Sequence, residues 1–250
     1  MREVQVNNLI FGEHGTKICV PISGNDDKQI LDDIEKLYNF DFDLIELRID
    51  CYEYVENFSR VKLLLENIRK IYSKTILFTF RSKNEGGMHE LSEEKYFELC
   101  NYIIASKLVD LIDVELSKPE ESIKKIITFA REKGVRVIMS SHDFIKTPSG
   151  DEIVSRLEKM QDYDADITKI AVMANCEEDV LTLLSAALKM KKEKADRPFI
   201  ALSMGPLGIV TRLSGELFGS CLTFAALNAP SAPGQVNVRN AREILNMLSI

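Results

Sequence analysis

The residue that most strongly suggests catalysis in this sequence is Lys169. It lies in the middle of an apolar, β-branched run at residues 165–172. Side chains on a β-strand alternate between faces, so Ile167, Lys169 and Ala171 share one face. An ammonium group between two apolar neighbours lies either at a strand end near water or in a binding site. A desolvated lysine can attack a carbonyl carbon and form an imine. The pattern therefore indicates a candidate imine-forming lysine.

A histidine follows the preceding apolar run. Residues 135–139 read as a strand, and Ser140, Ser141 and His142 come directly after them. Imidazole is suited to moving protons near neutral pH, although a lone histidine is more often structural. The position of His142 after a strand, one repeat before Lys169, favours a shared site. The two residues together indicate imine chemistry with an acid–base partner.

Eight apolar runs alternate with amphipathic segments and must position these side chains. Such alternation is typical of a parallel sheet, and eight units in 250 residues predict an α/β fold, a single (β/α)8 TIM barrel over residues 1–250. The predicted strands are 16–22, 44–48, 74–80, 111–116, 135–140, 166–172, 198–203 and 220–224. The predicted helices are 26–38, 54–72, 92–106, 119–133, 149–161, 177–194, 207–218 and 238–249. An open doubly wound sheet is the alternative, but no G-x-G-x-x-G or P-loop sequence is present.

Residues 4–15 precede the first predicted barrel strand and read as a β-hairpin. We expect this hairpin to cap the bottom, N-terminal end of the barrel. Active sites of such barrels lie at the opposite end, where the strands reach their C-termini. The polar residues at those strand ends are therefore the candidates for a site.

The second predicted strand ends in three charged residues. Glu46, Arg48 and Asp50 are two residues apart, so we expect all three on one face, the barrel interior. Buried charges are costly unless they are paired or bind a ligand. An ion-pair network and a binding site are both compatible with this pattern.

The third and fourth predicted strands add further charges. Arg81 ends the third strand, where it is either a site residue or a surface arginine. The glycine pair at residues 86–87 predicts a mobile loop that brings Glu85 over the site. On the fourth strand, Glu115 shares a face with Asp113 and is either a barrel-lining ion pair or a site residue.

The last two strand ends add one cation and two loops. Residues 204–208 contain two glycines and a proline, a composition that lets backbone approach a ligand. Arg212, near the start of the next helix, is well placed to clamp a carboxylate. The loop at residues 229–235, rich in proline and small residues, is either a connector or a lid.

The whole composition narrows the class of protein. A net charge of −7 gives no basis for binding nucleic acid or an anionic membrane surface. Five dispersed cysteines without a C-x-x-C pair predict neither disulfides nor a metal site. The N-terminus lacks an apolar signal region, and no stretch reaches the roughly 18 apolar residues of a membrane span. We therefore expect a cytoplasmic location.

The sequence resembles the type I 3-dehydroquinate dehydratases, Schiff-base enzymes of the shikimate pathway. The resemblance runs along nearly the whole chain. The most specific segments are 141–144 (SHDF), 169–173 (KIAVM), 203–205 (SMG), 212–216 (RLSGE) and 231–235 (SAPGQ). It implies conversion of 3-dehydroquinate to 3-dehydroshikimate by syn elimination of water, the third step of aromatic amino acid biosynthesis. The resemblance also suggests a homodimer, and the implied reaction requires no cofactor.

The resemblance implies a role for each candidate residue. Lys169 would form the imine, His142 would remove the C2 proton and then assist loss of water, and Glu85 would orient or tune His142. The implied substrate-binding residues are Glu46, Arg48, Arg81, Arg212, Ser231, Gln235, Met204 and, just past the first strand, Ser23. An imine-forming amine must be uncharged, and we expect burial together with Arg48 and Arg81 to favour that form.

Two other functions remain open from the sequence. A class I Schiff-base aldolase also uses a barrel lysine, and residues 204–208 could mimic its phosphate-binding loop. Arg212 and the segment ending at Gln235 fit a carboxylate and hydroxyl groups better. A barrel that only binds a metabolite would not need both Lys169 and His142.

Overall fold

The computed structural model describes residues 1–12, 15–227 and 231–249. The chain begins with an antiparallel hairpin of β1 (Val4–Val6) and β2 (Leu9–Phe11). Its turn holds Asn7 at φ 54°, a left-handed conformation that asparagine tolerates because its short side chain can hydrogen-bond locally. The predicted hairpin strands are confirmed, and two residues of the predicted hairpin, Glu13 and His14, lie outside the described residues.

Eight parallel strands follow and form one curled sheet. They are β3 (Lys17–Ile22), β4 (Leu44–Arg48), β5 (Thr75–Thr79), β6 (Leu111–Glu115), β7 (Arg136–Asp143), β8 (Ile167–Met173), β9 (Phe199–Met204) and β10 (Leu222–Ala226). From β3 to β9 each strand pairs with the next, and β10 pairs with β3. An isolated bridge between Phe199 of β9 and Ser220, just before β10, closes the ring. The predicted TIM barrel is confirmed. A short unpredicted strand, β11 (Val236–Asn237), adds to β10.

Helices connect the strands and pack outside them. They are α1 (Asp27–Lys36), α2 (Phe58–Ile71), α3 (Glu93–Ser106), α4 (Glu120–Lys133), α5 (Gly150–Asp162), α6 (Glu177–Lys189), α7 (Ile209–Leu213), α8 (Gly215–Phe218) and α9 (Val238–Leu248). No helix among the described residues is long and apolar enough to cross a membrane.

Three predicted helix boundaries were wrong. The helix predicted from residue 54 begins at Phe58, because Asn57 caps it by accepting a hydrogen bond from the Arg60 amide. The helix predicted over 207–218 is two short helices that break at Ser214. Just after the break, a side chain on Gly215 would meet Thr16 Oγ1 at 2.6 Å. The helix predicted to residue 194 ends at Lys189 and continues as a wider π turn.

Alternation along the strands produces two apolar cores. The outer core lies between the sheet and the helices and includes Ile45 and Leu47 of β4. The inner core contains eight inward side chains, one from each barrel strand, all fully buried. This apolar layer is Cys19, Leu44, Leu77, Leu111, Ile138, Ile167, Ile200 and Leu222. The hairpin residues Val4, Val6, Leu9 and Phe11 pack in the same cluster, so the hairpin caps the N-terminal end as predicted.

Ion pairs tie the N-terminal end together. Asp164 pairs with Arg2, Arg131 and Arg197 at 3.4, 2.6 and 3.2 Å. Arg197 is itself buried and also donates to the Ala165 carbonyl at 2.6 Å. Residues at this end of a barrel generally serve stability, which leaves the other end for chemistry.

Candidate active site

The inward positions change from apolar to polar toward the C-terminal ends of the strands. Two residues beyond the apolar layer, five strands place polar side chains in the interior: Glu46, Thr79, Asp113, Ser140 and Lys169. Two residues further, the inward side chains include Arg48, Arg81 and His142. A step of two residues spans about 6.6 Å along a strand. The site is therefore a charged layer that lies directly on an apolar one.

A cavity of about 460 Å³ opens above this charged layer. Its lining residues are Glu46, Arg48, Arg81, His142, Phe144, Lys169, Ala171, Leu202, Met204, Arg212, Phe224, Ser231, Ala232 and Gln235. Nine of the eleven residues that the sequence assigned to a site are among them. The two others are Glu85, which contacts His142 from behind, and Ser23, which is exposed just past β3.

Lys169 lies at the bottom of the cavity and is only 4% exposed. Its Nζ is 3.5 Å from Asp113 Oδ2 and 3.8 Å from Glu46 Oε1, and it lies 4.4 Å from the centre of the Phe224 ring. We expected burial and the nearby charges of Arg48 and Arg81 to favour the uncharged form of this amine. Its nearest charged neighbours are instead these two carboxylates. Asp113 and Phe224 were missed as contacts of Lys169, although alternation from Glu115 and Leu222 places both on the inner face.

His142 lies on β7, because the strand continues to Asp143 and does not stop at Ser140 as predicted. Its Nδ1 is 2.9 Å from Glu85 Oε2, and the same oxygen accepts the His142 backbone amide at 3.0 Å. Arg81 Nη1 also makes a short contact with Nδ1. All of these contacts involve Nδ1 and the backbone, so Nε2 is the ring nitrogen left to meet a ligand in the cavity.

Glu85 does not reach over the cavity, so the expected mobile loop was wrong. It ends a short 3-10 turn, 83–85, and is only 6% exposed. Gly86 follows at φ 83°, and a side chain on Gly87 would overlap the Arg81 carbonyl at 1.8 Å. The two glycines therefore allow a tight turn of the chain, and this turn places Glu85 in contact with His142.

Burial shifts the pKa values of His142 and Glu85 in opposite directions. It lowers the pKa of His142 well below its ordinary value, and the charges of Arg81, Lys169 and Arg48 act in the same direction. Burial, followed by the nearby Glu115 carboxylate, raises the pKa of Glu85 to about 7. The imidazole is consequently uncharged at neutral pH, as a general base must be.

The raised pKa of Glu85 makes the stability of the fold depend on pH. A carboxyl group whose pKa is higher in the folded chain contributes most stability below its unfolded pKa, and loses that contribution as pH rises through about 7. Glu85→Gln removes the titration. We expect the melting temperature of the variant, relative to the unchanged chain, to rise by a few degrees between about pH 5 and pH 8.

Thermal unfolding across a pH series measures this difference. Glu243→Gln, which replaces an exposed carboxyl group on α9, is the control and should show no such trend. A difference between Glu85→Gln and the unchanged chain that stays constant with pH would show that Glu85 has an ordinary pKa.

Asp50 does not line the cavity, so the expectation of three charges on one inner face was wrong. β4 ends at Arg48, and residues 49–51 form a 3-10 turn that moves Asp50 out of the alternation. Asp50 is fully buried and accepts two hydrogen bonds from Arg48, at 2.8 and 2.9 Å. It also accepts the backbone amides of Arg81 and Met88. Asp50 therefore holds Arg48 and the following loop in position.

Glu115 is likewise a structural ion pair and not a cavity residue. Its Oε1 accepts the Ser82 amide at 2.7 Å, and its Oε2 is 3.3 Å from Lys118 Nζ. It stays close enough to Glu85 to raise that group's pKa. Its effect on the site is electrostatic.

Among the described residues, Arg212 is the cation of the cavity that has no carboxylate partner. It is 2% exposed, and its only hydrogen bond among the described residues runs from Nη2 to the Pro233 carbonyl at 3.0 Å. Its buried Nε has no partner among those residues. Burial lowers the pKa of Arg212 to about 10. A buried guanidinium without a carboxylate partner is well suited to receive an anionic group of a ligand.

The described part of the predicted loop, residues 231–235, lies against the cavity. Ser231 and Gln235 line the cavity and hydrogen-bond to each other at 2.9 and 3.0 Å. The Gly205 amide donates to the Pro233 carbonyl, and a side chain on Gly234, at φ 81°, would meet the Gly205 carbonyl at 2.3 Å. The two glycines thus allow the backbones to touch. Ala229 and Pro230, the start of the predicted loop, lie outside the described residues.

Known proteins resemble this chain along its length. The sequence model of the family described as type I 3-dehydroquinase matches residues 18–250. A 3-dehydroquinate dehydratase of Clostridium novyi is 47% identical over 99% of this chain and 98% of its own length. The structure of a type I 3-dehydroquinate dehydratase from Clostridium difficile, solved with covalently modified comenic acid, is 48% identical. It superposes with a TM-score of 0.95 over 99% of this chain and 97% of that one. An Enterococcus faecalis 3-dehydroquinate dehydratase structure is 40% identical, with a TM-score of 0.93 over 99% of this chain and all of that one.

Proposed function

This chain belongs to the type I 3-dehydroquinase family, and on that premise we propose that it eliminates water from 3-dehydroquinate through an imine on Lys169. The overall activity is that of a hydro-lyase of the shikimate pathway, which forms 3-dehydroshikimate. The observation that best supports the imine route is that one cavity holds a buried lysine together with a histidine whose pKa is lowered by burial.

In the proposed mechanism, Lys169 Nζ attacks the C3 ketone and loses water to give a protonated imine. The imine withdraws electrons from the adjacent C2–H bond, which is otherwise only weakly acidic. His142 Nε2 removes the C2 proton and leaves an enamine. The same imidazolium then protonates the C1 hydroxyl as it leaves in a syn elimination, and water finally hydrolyses the conjugated imine to release product and regenerate the amine.

The charges around Lys169 suit the intermediates of this mechanism. Asp113 and Glu46, at 3.5 and 3.8 Å from Nζ, stabilise the positive charge of the protonated imine without moving. Asp113 is held by Ser140 Oγ at 2.6 Å and Arg81 at 3.3 Å, and Glu46 by Thr79 Oγ1 at 2.9 Å. Burial, followed by the charges of Arg81, Lys169 and Arg48, lowers the pKa of His142 and so favours the uncharged imidazole that accepts the C2 proton.

The remaining residues of the cavity hold the substrate in this proposal. Arg212 pairs with its carboxylate, which replaces the partner that the buried guanidinium lacks among the described residues. Glu46, Arg48 and Arg81 contact ring hydroxyl groups, Ser231 and Gln235 cover the ring, and Met204 packs against it. Ser23, exposed just past β3, keeps its predicted role in substrate binding.

Borohydride reduction in the presence of 3-dehydroquinate tests the imine directly. Hydride converts the imine to a stable secondary amine, and we expect the added mass on the peptide that contains Lys169. Omission of either borohydride or 3-dehydroquinate is the control. Turnover without trapping at Lys169 would refute the imine, and trapping only with a sugar phosphate would assign the chain to an aldolase reaction.

We also propose that the enzyme is a cytoplasmic homodimer. Each chain forms one domain over residues 1–250 and works without a cofactor. Sedimentation velocity at micromolar concentration should give a species of twice the 28.4 kDa chain mass.

A further inference from the structure

One wall of the substrate cavity separates it from a second space. On the other side of this wall, an open groove of about 1350 Å³ runs between the loops that follow β5, β6 and β7. Among the described residues, only His142 and Phe144 line both the cavity and the groove. These two side chains therefore form the partition between the two spaces. The proposed mechanism gives His142 a role and leaves Phe144 without one.

The turn that positions His142 also positions Phe144. Phe144 directly follows β7 and continues the inward positions of Ser140 and His142. Its ring lies against Gly86, where an added Cβ would be 2.5 Å from the ring atom Cε2. Gly86 follows Glu85, which accepts the backbone amide of His142 at 3.0 Å. One turn of the chain thus contacts both halves of the partition.

Hydrogen bonds fix the backbone on both sides of Phe144. Asp143 Oδ1 accepts the amides of Ile145 and Lys146, both at 3.0 Å, and the Ile145 carbonyl accepts Asn175 Nδ2 at 2.9 Å. Phe144 itself is 37% exposed, as expected for a ring with a space on each side. A phenyl ring gives water no strong hydrogen-bonding partner, and an ordered water needs several. The partition is therefore anchored through its backbone and apolar at its face.

The proton that His142 removes from C2 makes this partition important for the reaction. In the proposed mechanism that proton stays on Nε2, the nitrogen that faces the cavity, until the C1 hydroxyl group leaves. Water that reached Nε2 in this interval would replace the proton with one from solvent. Bound substrate fills the cavity in this mechanism, and Ser231 and Gln235 cover it. The groove is then the large body of water beside the imidazole, and Phe144 lies between the groove and the cavity.

We propose that Phe144 is a positioning residue that keeps groove water away from His142 Nε2, so that the proton taken from C2 is the one delivered to the C1 hydroxyl group. This inference rests on the proposed function. The C2–H bond breaks, Nε2 carries its proton, and the same proton leaves in the water formed as the C1–O bond breaks. No solvent proton enters before the conjugated imine is hydrolysed. Exclusion of water is a general means of preventing the leakage of protons from an active site.

Incorporation of deuterium from solvent measures this exclusion. Unlabelled 3-dehydroquinate is incubated with the enzyme in deuterium oxide, and the reaction is stopped at partial conversion. Mass spectrometry gives the deuterium gained by unreacted substrate, with an enzyme-free sample as the blank, and product formation gives turnover. When proton removal reverses, C2 regains hydrogen if Nε2 has kept it, and deuterium if Nε2 has exchanged. We expect a low ratio of incorporation to turnover in unchanged enzyme, and a rise of about tenfold or more in Phe144→Ala.

Two further variants separate access of water from other effects. Phe144→Leu keeps a large apolar side chain in the partition and should keep the ratio close to that of unchanged enzyme. Ile145→Ala removes a neighbouring apolar side chain, 82% exposed, that lines the groove and not the cavity, and should leave the ratio unchanged. Loss of folded enzyme lowers incorporation and turnover together, so a purely structural effect does not change the ratio.

Three results would overturn this role of Phe144 and leave the dehydration intact. They are an unaltered ratio in Phe144→Ala, an equal rise in Ile145→Ala, and unchanged enzyme that incorporates deuterium as fast as it forms product. No turnover in unchanged enzyme would instead refute the proposed function itself.

Discussion

Lys169→Ala lowers the turnover of 3-dehydroquinate by at least about 10⁴-fold, because Lys169 is the only lysine among the described residues that line the cavity. Losses of this order follow removal of the nucleophile in covalent catalysis. The fold should survive, since Asp113 keeps Ser140 and Arg81 as partners and Glu46 keeps Thr79. Substrate should still bind through Arg212. Product formation, followed by the absorbance of the conjugated enone, measures turnover, and calorimetry measures binding.

Lys118→Ala is the matched control for this variant. Lys118 also pairs with a buried carboxylate, Glu115, and lies 4.6 Å from the centre of an aromatic ring, that of Tyr96. It lies outside the cavity, so its loss should cost stability and leave most of the turnover. Full activity in a well-folded Lys169→Ala variant would rule out the imine mechanism.

Arg212→Met raises the KM for 3-dehydroquinate by about 10- to 100-fold, since a charge-assisted hydrogen bond to the substrate contributes roughly 1.5–3 kcal/mol. The same change should stabilise the free enzyme. Lowering the arginine pKa from 12.5 to about 10 by burial corresponds to roughly 3 kcal/mol against the charged form. Replacement by an apolar side chain of similar length removes that cost. We expect a melting temperature a few degrees higher, together with the weaker substrate binding.

Arg197→Met is the comparison, since Arg197 is also buried but is paired with Asp164 and Asp196. Its replacement should lower the melting temperature and leave KM unchanged. Steady-state kinetics and thermal unfolding of both variants separate the two expectations. An Arg212→Met variant with unchanged KM, or with the loss of stability expected for Arg197→Met, would show that Arg212 is a structural residue.

The sequence predicted the barrel and most of its cavity because both follow from strand periodicity. Once the strands are placed, alternation puts Glu46, Lys169 and Met204 on the inner face at the C-terminal end. Strand β4 was predicted with its observed bounds. The errors lie where alternation ends: the 3-10 turn after Arg48 withdraws Asp50, and a tight glycine turn places Glu85 behind His142.

The electrostatics of the site depend on distances that the sequence does not contain. Arg48 and Arg81 were expected to act on the lysine as nearby charges. The residues that share its level inside the barrel come from other strands, and the register of those strands decides which side chains are closest. That register brings Asp113 to 3.5 Å from Lys169.

The apolar layer beneath the site has a kinetic consequence. Its eight side chains are fully buried and the hairpin packs below them, so the described residues close the N-terminal side of Lys169, and the cavity above it opens at the C-terminal side. An imine must be hydrolysed before product can leave, and the hydrolytic water has to pass the bound ring or wait for space beside it. Arrival of substrate, supply of that water and departure of product therefore compete for a single opening. A ligand that fills the opening without reacting would trap a covalent intermediate already formed, and would slow its release as well as the binding of new substrate.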